Sequence, residues 1–382
     1  MSSLIVIGSG LAGYTLIREF RKIDKETSIT LISRDAADFY SKPMLSTALA
    51  QGKDAQSLIM TPAEKMAAQL DINILANTYV TEIDKGKKRC VLDTGEVVEY
   101  EKLVLALGAD PIRIPFDGDA NDDVLSINNI DDYAMFRQKL DTGVKRIAII
   151  GAGLIGCEFA NDLISQDYQV DVIGLGETPL DTLIPAEAGK SLLAKLEKEG
   201  VVWHLDTTVD CLKHSNKGYQ VSLRNGADFH ADLIISAIGL RAKTDLAKNA
   251  GLETNRAIVV SKYLQTTSDD DIYAIGDCAE VGGEVLPYIM PIMHGARALA
   301  KTLCGESSEV EYPIMPVIVK TTKHPIVIAG QLKGKKVNLH SETVEDGVKV
   351  LANDHNDNMV GFCLVGAEAN KEKQALLKDM KA

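Results

Sequence analysis

Short unbroken apolar runs alternate along this chain with longer stretches in which apolar positions recur every three to four residues. Leu4-Ile5-Val6-Ile7, Ser28 to Ser33 and Leu103 to Pro111 read as strands of one sheet, the last ending in a glycine turn. Arg146 to Ile150, Gln169 to Ile173 and Leu233 to Gly239 read as strands of a second. Strands that are apolar at nearly every position are buried on both faces, as in a parallel sheet covered by helices. The helical period appears from Leu11 to about Ile23, from Asp131 to Leu140, from Cys157 to Gln166 and from Pro291 to Cys304. Tyr79–Asp84, Arg89–Leu92 and Val97–Tyr100 read as short hairpin strands, and the polar stretch Phe116 to Asp123 as a domain linker. Toward the C-terminus the pattern changes to strand–turn–strand over Pro316 to Ala329. Strands near Val348–Ala352 and Met359–Val365 follow, then a helix over Ala367 to Met380. The fold class expected is α/β: two Rossmann-like three-layer domains and a small C-terminal α+β domain. Their bounds are 1–112 with 246–315, then 113–245, then 316–382.

The same punctuation follows the first strand of each large unit. Gly8-Ser9-Gly10-Leu11-Ala12-Gly13 stands after one, and Gly151-Ala152-Gly153-Leu154-Ile155-Gly156 after the other. In a strand–turn–helix setting the first glycine allows the turn and the second lets backbone approach a pyrophosphate. The third lets helix pack on strand, and the phosphates face the positive end of the helix. The closing strands also match, one running through Ala106 to Gly108 and the other ending at Gly239. A repeat at the level of whole domains implies two dinucleotides, one a bound flavin and the other a nicotinamide. An acid at the end of the second strand would bond the adenosine ribose. In the first unit Asp35 stands one position late, and Ser33 and Arg34 can serve through hydroxyl, backbone and guanidinium. In the second unit that place is Gly174, and Glu177 is the nearest acid. No arginine or lysine stands close by in sequence to receive a 2′-phosphate, which favours NADH over NADPH.

Composition narrows the picture. The 382 residues exceed one ordinary core, 46% are hydrophobic and 25% charged, and the net charge of −13 argues against a nucleic-acid footprint or bulk attraction to an anionic membrane. No secretory apolar segment precedes the first strand and no run approaches the roughly 20 residues of a membrane span, so a cytoplasmic protein is expected. The six cysteines are scattered, with no C-x-x-C or C-x-x-x-x-C pair, which leaves neither a zinc ribbon nor a closely spaced redox disulfide and no metal site. Their bland reading is reduced and structural.

Three further segments carry chemistry. Tyr40-Ser41-Lys42-Pro43-Met44-Leu45-Ser46 places Lys42 at the start of a helix opened by a proline. There the lysine is either a solvated side chain or a cation held beside a redox ring that gains negative charge. Asp271-Ile272-Tyr273-Ala274-Ile275-Gly276-Asp277 ends a strand in a carboxylate that can accept from a ribityl hydroxyl or serve simply as a turn residue. His294, alone on its helix, is read as structural.

Together, Gly8–Gly13, Gly151–Glu158 and Ile272–Asp277 resemble the FAD-dependent pyridine nucleotide-disulfide oxidoreductases, the glutathione-reductase-like superfamily, over essentially the whole chain. Within it, Tyr40–Ser46, the short C-terminal domain and the missing disulfide resemble the bacterial rubredoxin reductases. Flavorubredoxin reductases are close neighbours and [2Fe–2S] ferredoxin reductases come next. The resemblance implies tightly bound FAD in the first and interrupted unit, and NADH as electron donor in the second. Gly8, Ser9, Gly10, Leu11, Ala12 and Gly13 would cradle the FAD pyrophosphate, with Ser33 and Arg34 near the adenosine and Val80 on the adenine. Pro43, Ala106, Gly108 and Gly276 would line the FAD site, Asp277 would bind the ribityl and phosphate portion, and Ile289 would touch the ring edge. Gly151, Gly153, Leu154, Ile155, Gly156 and Gly239 would form the nicotinamide side. Lys42 would sit near the flavin and pair with Glu158 as the two catalytic residues, and Lys320 would reach the flavin region. The partner implied is rubredoxin, in a transient complex that an acidic chain would need a local basic patch to form, around Lys42, Lys320 and Lys323. The segment Tyr40 to Ala50 holds no cysteine, unlike the disulfide reductases and NADH oxidases of the superfamily. Electrons would therefore leave the flavin directly, to a one-electron acceptor. A two-electron oxidase or disulfide reductase of the same fold, and a non-enzymatic redox sensor, are the competing readings.

Overall fold

In the computed structural model, which describes residues 3–334 and 337–380, the chain divides into two units. The first comprises Met1–Lys42, Ser57–Asp110 and Leu240–Pro313, and the second Pro43–Gln56, Pro111–Gly239 and Ile314–Ala382.

The first unit is built on a five-stranded parallel sheet in the order Ile272–Ala274, Lys102–Leu105, Ser3–Ile7, Ser28–Ile32, Asn73–Leu75. Leu4, Ile5, Val6, Leu103, Val104 and Leu105 are buried, which explains why these strands read as continuous apolar runs. The helices Leu11–Ile23 and Ile289–Leu303 pack against each other. The closing strand is shorter than the apolar run. It stops at Leu105, and a separate strand, Ala109–Pro111, begins after Gly108, whose φ of +69° turns the chain. The 73–75 edge strand is polar at its first position and escaped the sequence pattern.

The second unit repeats the parallel arrangement in the order Val201–His204, Gln169–Ile173, Arg146–Ile150, Leu233–Ser236. The helix Leu154–Ile164 follows its glycine loop directly and starts three residues earlier than the apolar spacing suggested. The stretch Phe116 to Asp123 is not a free linker. Asp117–Gly118 pairs in parallel with Cys211–Leu212 at the edge of a second sheet, followed by Tyr219–Leu223 and Asp228–Ala231, and Ala120 is buried. The pairing needs only backbone, so a polar sequence conceals it.

The remaining part of the second unit is a five-stranded antiparallel sheet in the order Val317–Val319, Ile326–Gly330, Met359–Val365, Gly347–Asn353, Asn338–Val344. Val348, Val350 and Ala352 alternate inward, and the helix Ala186–Lys198 packs on this strand and its neighbour. The single closing helix expected is two, Ala367–Asn370 and Lys373–Asp379. The strand Asn338–Val344 is exposed at nearly every position and so carries no buried apolar run in its sequence.

Asp171, in the middle of the Gln169–Ile173 strand and 1% exposed, joins three strands of the second unit through its side chain. Arg146 grips it from the adjacent strand through Nε at 2.6 Å and Nη2 at 2.9 Å, and His204 Nε2 approaches from the other side at 2.9 Å. His204 stacks on Phe229, and the Arg146 guanidinium lies over the same ring. Burial pushes the Asp171 carboxyl up, but the hydrogen bonds from Arg146 and His204 outweigh it and hold the group below the ordinary carboxylate range. Its stabilising contribution is therefore present above the unfolded-state carboxylate value, near pH 4, and is lost as pH falls through the lower folded value. Asp171→Asn is expected to lower unfolding free energy by about 2–4 kcal/mol at pH 7, with the deficit shrinking below about pH 4, as measured by urea titration across pH.

Candidate functional site

The two glycine loops are built alike. Gly8 has φ +116°, and a Cβ there would stand 2.2 Å from the Ala106 carbonyl oxygen. Gly151 has φ +115°, and its Cβ would meet the Ala237 carbonyl oxygen at 2.5 Å. The third glycines, Gly13 and Gly156, lie so close to the turn that a Cβ would come within 2.0 Å and 1.9 Å of the Gly8 and Gly151 carbonyl oxygens. The middle glycines differ. Gly10 and Gly153 have ordinary negative φ, and nothing lies within 4 Å of a Cβ placed on either. Each is the N-cap of its helix, without a capping side chain or an acid in the first turn. The first-turn N–H groups thus keep their positive potential and face open space, the geometry that receives a pyrophosphate.

Around the first loop, Ser9 Oγ lies 2.7 Å from Ser33 Oγ, and both hydroxyls donate to Asp35 Oδ1, at 3.0 and 2.7 Å. Asp35 thereby joins the end of the second strand to the loop, while Arg34 is half-exposed and ion-paired with Asp110. Val80 is buried at the start of its hairpin, and Ala106 donates its N–H to Ile7 while its carbonyl crowds Gly8. Gly276, at φ +80°, brings its turn onto Ala12, where a Cβ would come within 2.9 Å. Asp277 follows; burial raises its carboxyl, and the Lys42 cation acts against that rise. Lys42 opens a 3-10 helix, Lys42–Thr47, rather than a longer α-helix. Ile289 begins the Ile289–Leu303 helix, which has no side-chain cap at Tyr288 and so offers free N–H groups of its own.

In the second unit the helix leaving Gly153 carries Glu158, fully buried. Its Oε2 accepts from the Lys320 ammonium at 2.7 Å and from Ser46 Oγ at 2.5 Å, and its Oε1 accepts the Lys320 backbone N–H at 2.9 Å. The same ammonium donates to Ser46 Oγ and to the carbonyl of Pro43. One turn further, Asp162 accepts the N–H groups of Leu49 and Ala50, at 3.0 and 3.1 Å. Burial pushes the Asp162 carboxyl up to about 6, with Glu158 adding to the rise and the two N–H bonds and Lys320 opposing it. The sequence pattern does not single out Ser46 or Asp162. For Asp162 the signal is a set of polar residues at helical spacing inside an otherwise apolar helix. Lys320 and Lys323, both named for the expected docking patch, are ion-paired, the latter with Glu199 at 3.2 Å.

Gly174 has a steric reason to lack a side chain. A Cβ there would come within 2.6 Å of Ala152 Cβ in the glycine loop, so no carboxylate fits. Beside the strand end lies a cleft of about 330 Å³ lined by Leu175, Asp206, Thr207, Thr208, Arg224 and Asn225. The Thr207 hydroxyl is buried there without a hydrogen-bond partner. Arg224 reaches the cleft from the hairpin after Leu223, so a cation distant in sequence does stand near this strand end. Gly239, at φ +111°, closes the sheet.

The cysteines are free thiols. Burial pushes Cys90 and Cys363 up to about 12 and Cys278 up to about 11, and Cys157 is raised for the same reason. Such thiols stay protonated and unreactive.

Two dinucleotide loops on parallel sheets, with a buried carboxylate–lysine pair behind the second, define a two-cofactor oxidoreductase. The chain belongs to the pyridine nucleotide-disulphide oxidoreductase family, which it matches over residues 2–300. Residues 309–380 match the rubredoxin binding C-terminal domain family. Over 99% of its length the chain is 46% identical to a rubredoxin-NAD(+) reductase of Acinetobacter baylyi, covering 98% of that protein. It is 42% identical over its full length to one from Alcanivorax borkumensis, covering 99% of it. Among solved structures, a ferredoxin reductase from Rhodopseudomonas palustris superposes with a TM-score of 0.89 at 25% identity, over 99% of this chain and 95% of that one.

Gly153→Ala separates a structural from a binding role for the second loop. The free protein has room for the methyl group, so its Tm should change by less than about 2 °C. The KM for NADH should rise at least about tenfold, because the methyl group fills the approach of the pyrophosphate. Thermal unfolding and steady-state kinetics check both.

Proposed function

We propose that this chain is an NADH-dependent FAD flavoprotein that passes electrons to the iron protein rubredoxin. The observation that carries the reading is the buried Glu158–Lys320 pair: its lysine comes from the part matching the rubredoxin-binding family, its glutamate from the helix that leaves the second glycine loop. FAD supplies the conversion between two-electron acceptance from NADH and one-electron donation. The chain's own tasks are binding, orientation and electrostatics. The first loop, from Gly8 to Gly13, with Ser33, Arg34, Val80 and Asp277, holds FAD tightly. The second, from Gly151 to Gly156, holds NADH, with its adenosine half toward the cleft at Leu175 and Thr207. Lys42 supplies positive potential at the flavin, and Glu158 holds Lys320 in place. A division into three domains, 1–112 with 246–315, 113–245 and 316–382, and a cytoplasmic location belong to the same reading. Among the described residues no helix is long and apolar enough to cross a membrane.

A disulfide reductase or thiol-dependent oxidase is disfavoured by the absence of a cysteine from Tyr40 to Ala50 and by the burial of Cys90, Cys157, Cys278 and Cys363. Ferredoxin as acceptor is disfavoured by the C-terminal family match. The direct test is anaerobic stopped-flow of the NADH-reduced protein against oxidised rubredoxin, with a [2Fe–2S] ferredoxin as comparison. Rubredoxin should bleach with a second-order rate constant on the order of 10⁶ M⁻¹s⁻¹ or above, and ferredoxin at least about tenfold more slowly. Slow reduction of both would remove the proposal.

A further inference from the structure

The helix Leu154–Ile164 carries a polar stripe that the electron-transfer reading uses only in part. Glu158, Asn161 and Asp162 stand at i, i+3 and i+4 and so share one helix face, at 0%, 2% and 2% exposure. Polar side chains at such depth are tolerated only with their bonding capacity filled. Asn161 directs both ends of its amide to one turn of the C-terminal sheet. Its Oδ1 accepts the Lys323 N–H at 2.9 Å, and its Nδ2 donates to the Thr322 hydroxyl at 3.0 Å. With Glu158 accepting the Lys320 N–H, this helix face holds residues 320, 322 and 323 of a single turn.

That turn connects the strands Val317–Val319 and Ile326–Gly330. It is closed on itself by the Thr321 hydroxyl donating to the His324 carbonyl at 2.6 Å, and by the His324 N–H donating to the Thr321 carbonyl at 2.9 Å. Its other side meets the helix Ala186–Lys198 and the residue after it: His324 Nε2 lies 2.9 Å from Ser191 Oγ, and Lys323 pairs with Glu199. A rigid turn gripped by two helices is a mounting point. Asn161 suits the grip because a neutral amide offers a donor and an acceptor at once. Aspartate would lose the donor and add a third carboxylate beside Glu158 and Asp162, and alanine would leave the Lys323 N–H without its partner.

Resting on the reading of rubredoxin as acceptor, we propose that Asn161 is a positioning residue that seats the rubredoxin-binding part of the chain on the nicotinamide-loop helix by clamping Thr322 and Lys323. Lys320, two residues before this clamp, is thereby held in register with Glu158. Loss of the clamp leaves the ion pair and the Ser191 and Glu199 contacts in place but removes the nicotinamide-loop helix's hold on residues 322 and 323, so the part of the chain offered to rubredoxin is seated less firmly. The nicotinamide loop, at the far end of the helix, keeps its geometry.

The test uses the full-length, FAD-loaded protein. The Kd for oxidised rubredoxin is measured by calorimetric titration, and the steady-state KM for rubredoxin and for NADH are measured separately. Asn161→Ala should raise the rubredoxin Kd and KM about five- to tenfold while the KM for NADH stays within about twofold. Thr322→Val, a milder change that keeps Asn161, should move the same two constants about two- to fourfold in the same direction. Constants for rubredoxin within twofold of wild type in both variants would overturn the proposal. So would a parallel rise in both KM values together with a fall in Tm, the mark of packing alone. Should Asn161→Ala fail to fold, Thr322→Val decides by itself. A wild-type protein that does not bind rubredoxin overturns the acceptor reading instead, and is told apart because the variants then have nothing to be compared with.

Discussion

A carboxylate with no exposed surface is the constraint on which much of this molecule depends. Glu158 sits inside the second unit, where an unpaired charge is intolerable, so the chain must bring a cation and further donors to it. Lys320 supplies the cation and a backbone N–H, and Ser46 supplies a hydroxyl. These partners are far apart in sequence. Satisfying one side chain therefore ties together the segment after Pro43, the helix leaving the second glycine loop and a turn of the C-terminal sheet. Asp162 repeats the device one turn along by taking the Leu49 and Ala50 N–H groups. The result is a polar seam inside an apolar helix face, held by partners specific enough to set register.

The glycine loops show a second constraint, applied twice. In each unit the first and third glycines are excluded from bearing a side chain by a carbonyl oxygen at van der Waals overlap, whereas the middle glycine is not crowded by protein at all. Crowding accounts for two glycines structurally; the middle one has no steric reason within the chain, which is what the proposed approach of a pyrophosphate requires. Gly174 is the opposite case, a glycine fully accounted for by contact with Ala152.

Much of this was legible in the sequence. The parallel sheets announced themselves because strands buried on both faces, such as Leu4–Ile7 and Arg146–Ile150, carry an unbroken apolar signal, and the loops after them have a spacing that only a strand–turn–helix unit needs. Family resemblance points to Glu158 as the partner of Lys42 and to Lys320 in the flavin region; the cation described beside Glu158 within its unit is Lys320. What stayed hidden were contacts made by backbone or by distant polar residues. The Asp117–Gly118 pairing leaves no side-chain pattern, Asn338–Val344 has no buried face, and Arg224 reaches the strand end near Leu175 from a hairpin remote in sequence. Ser46 and Asp162 are ordinary residues until the fold buries them.

The most direct measurement of the central claim is a double-mutant cycle on Glu158→Gln and Lys320→Met, read by equilibrium urea unfolding of the holoprotein. If the buried carboxylate depends on its lysine, each single change costs about 2–4 kcal/mol, and the double mutant is more stable than the sum of the two by at least about 2 kcal/mol. Additive costs, within about 0.5 kcal/mol, would show that the two side chains do not stabilise each other and would contradict the dependence of Glu158 on Lys320.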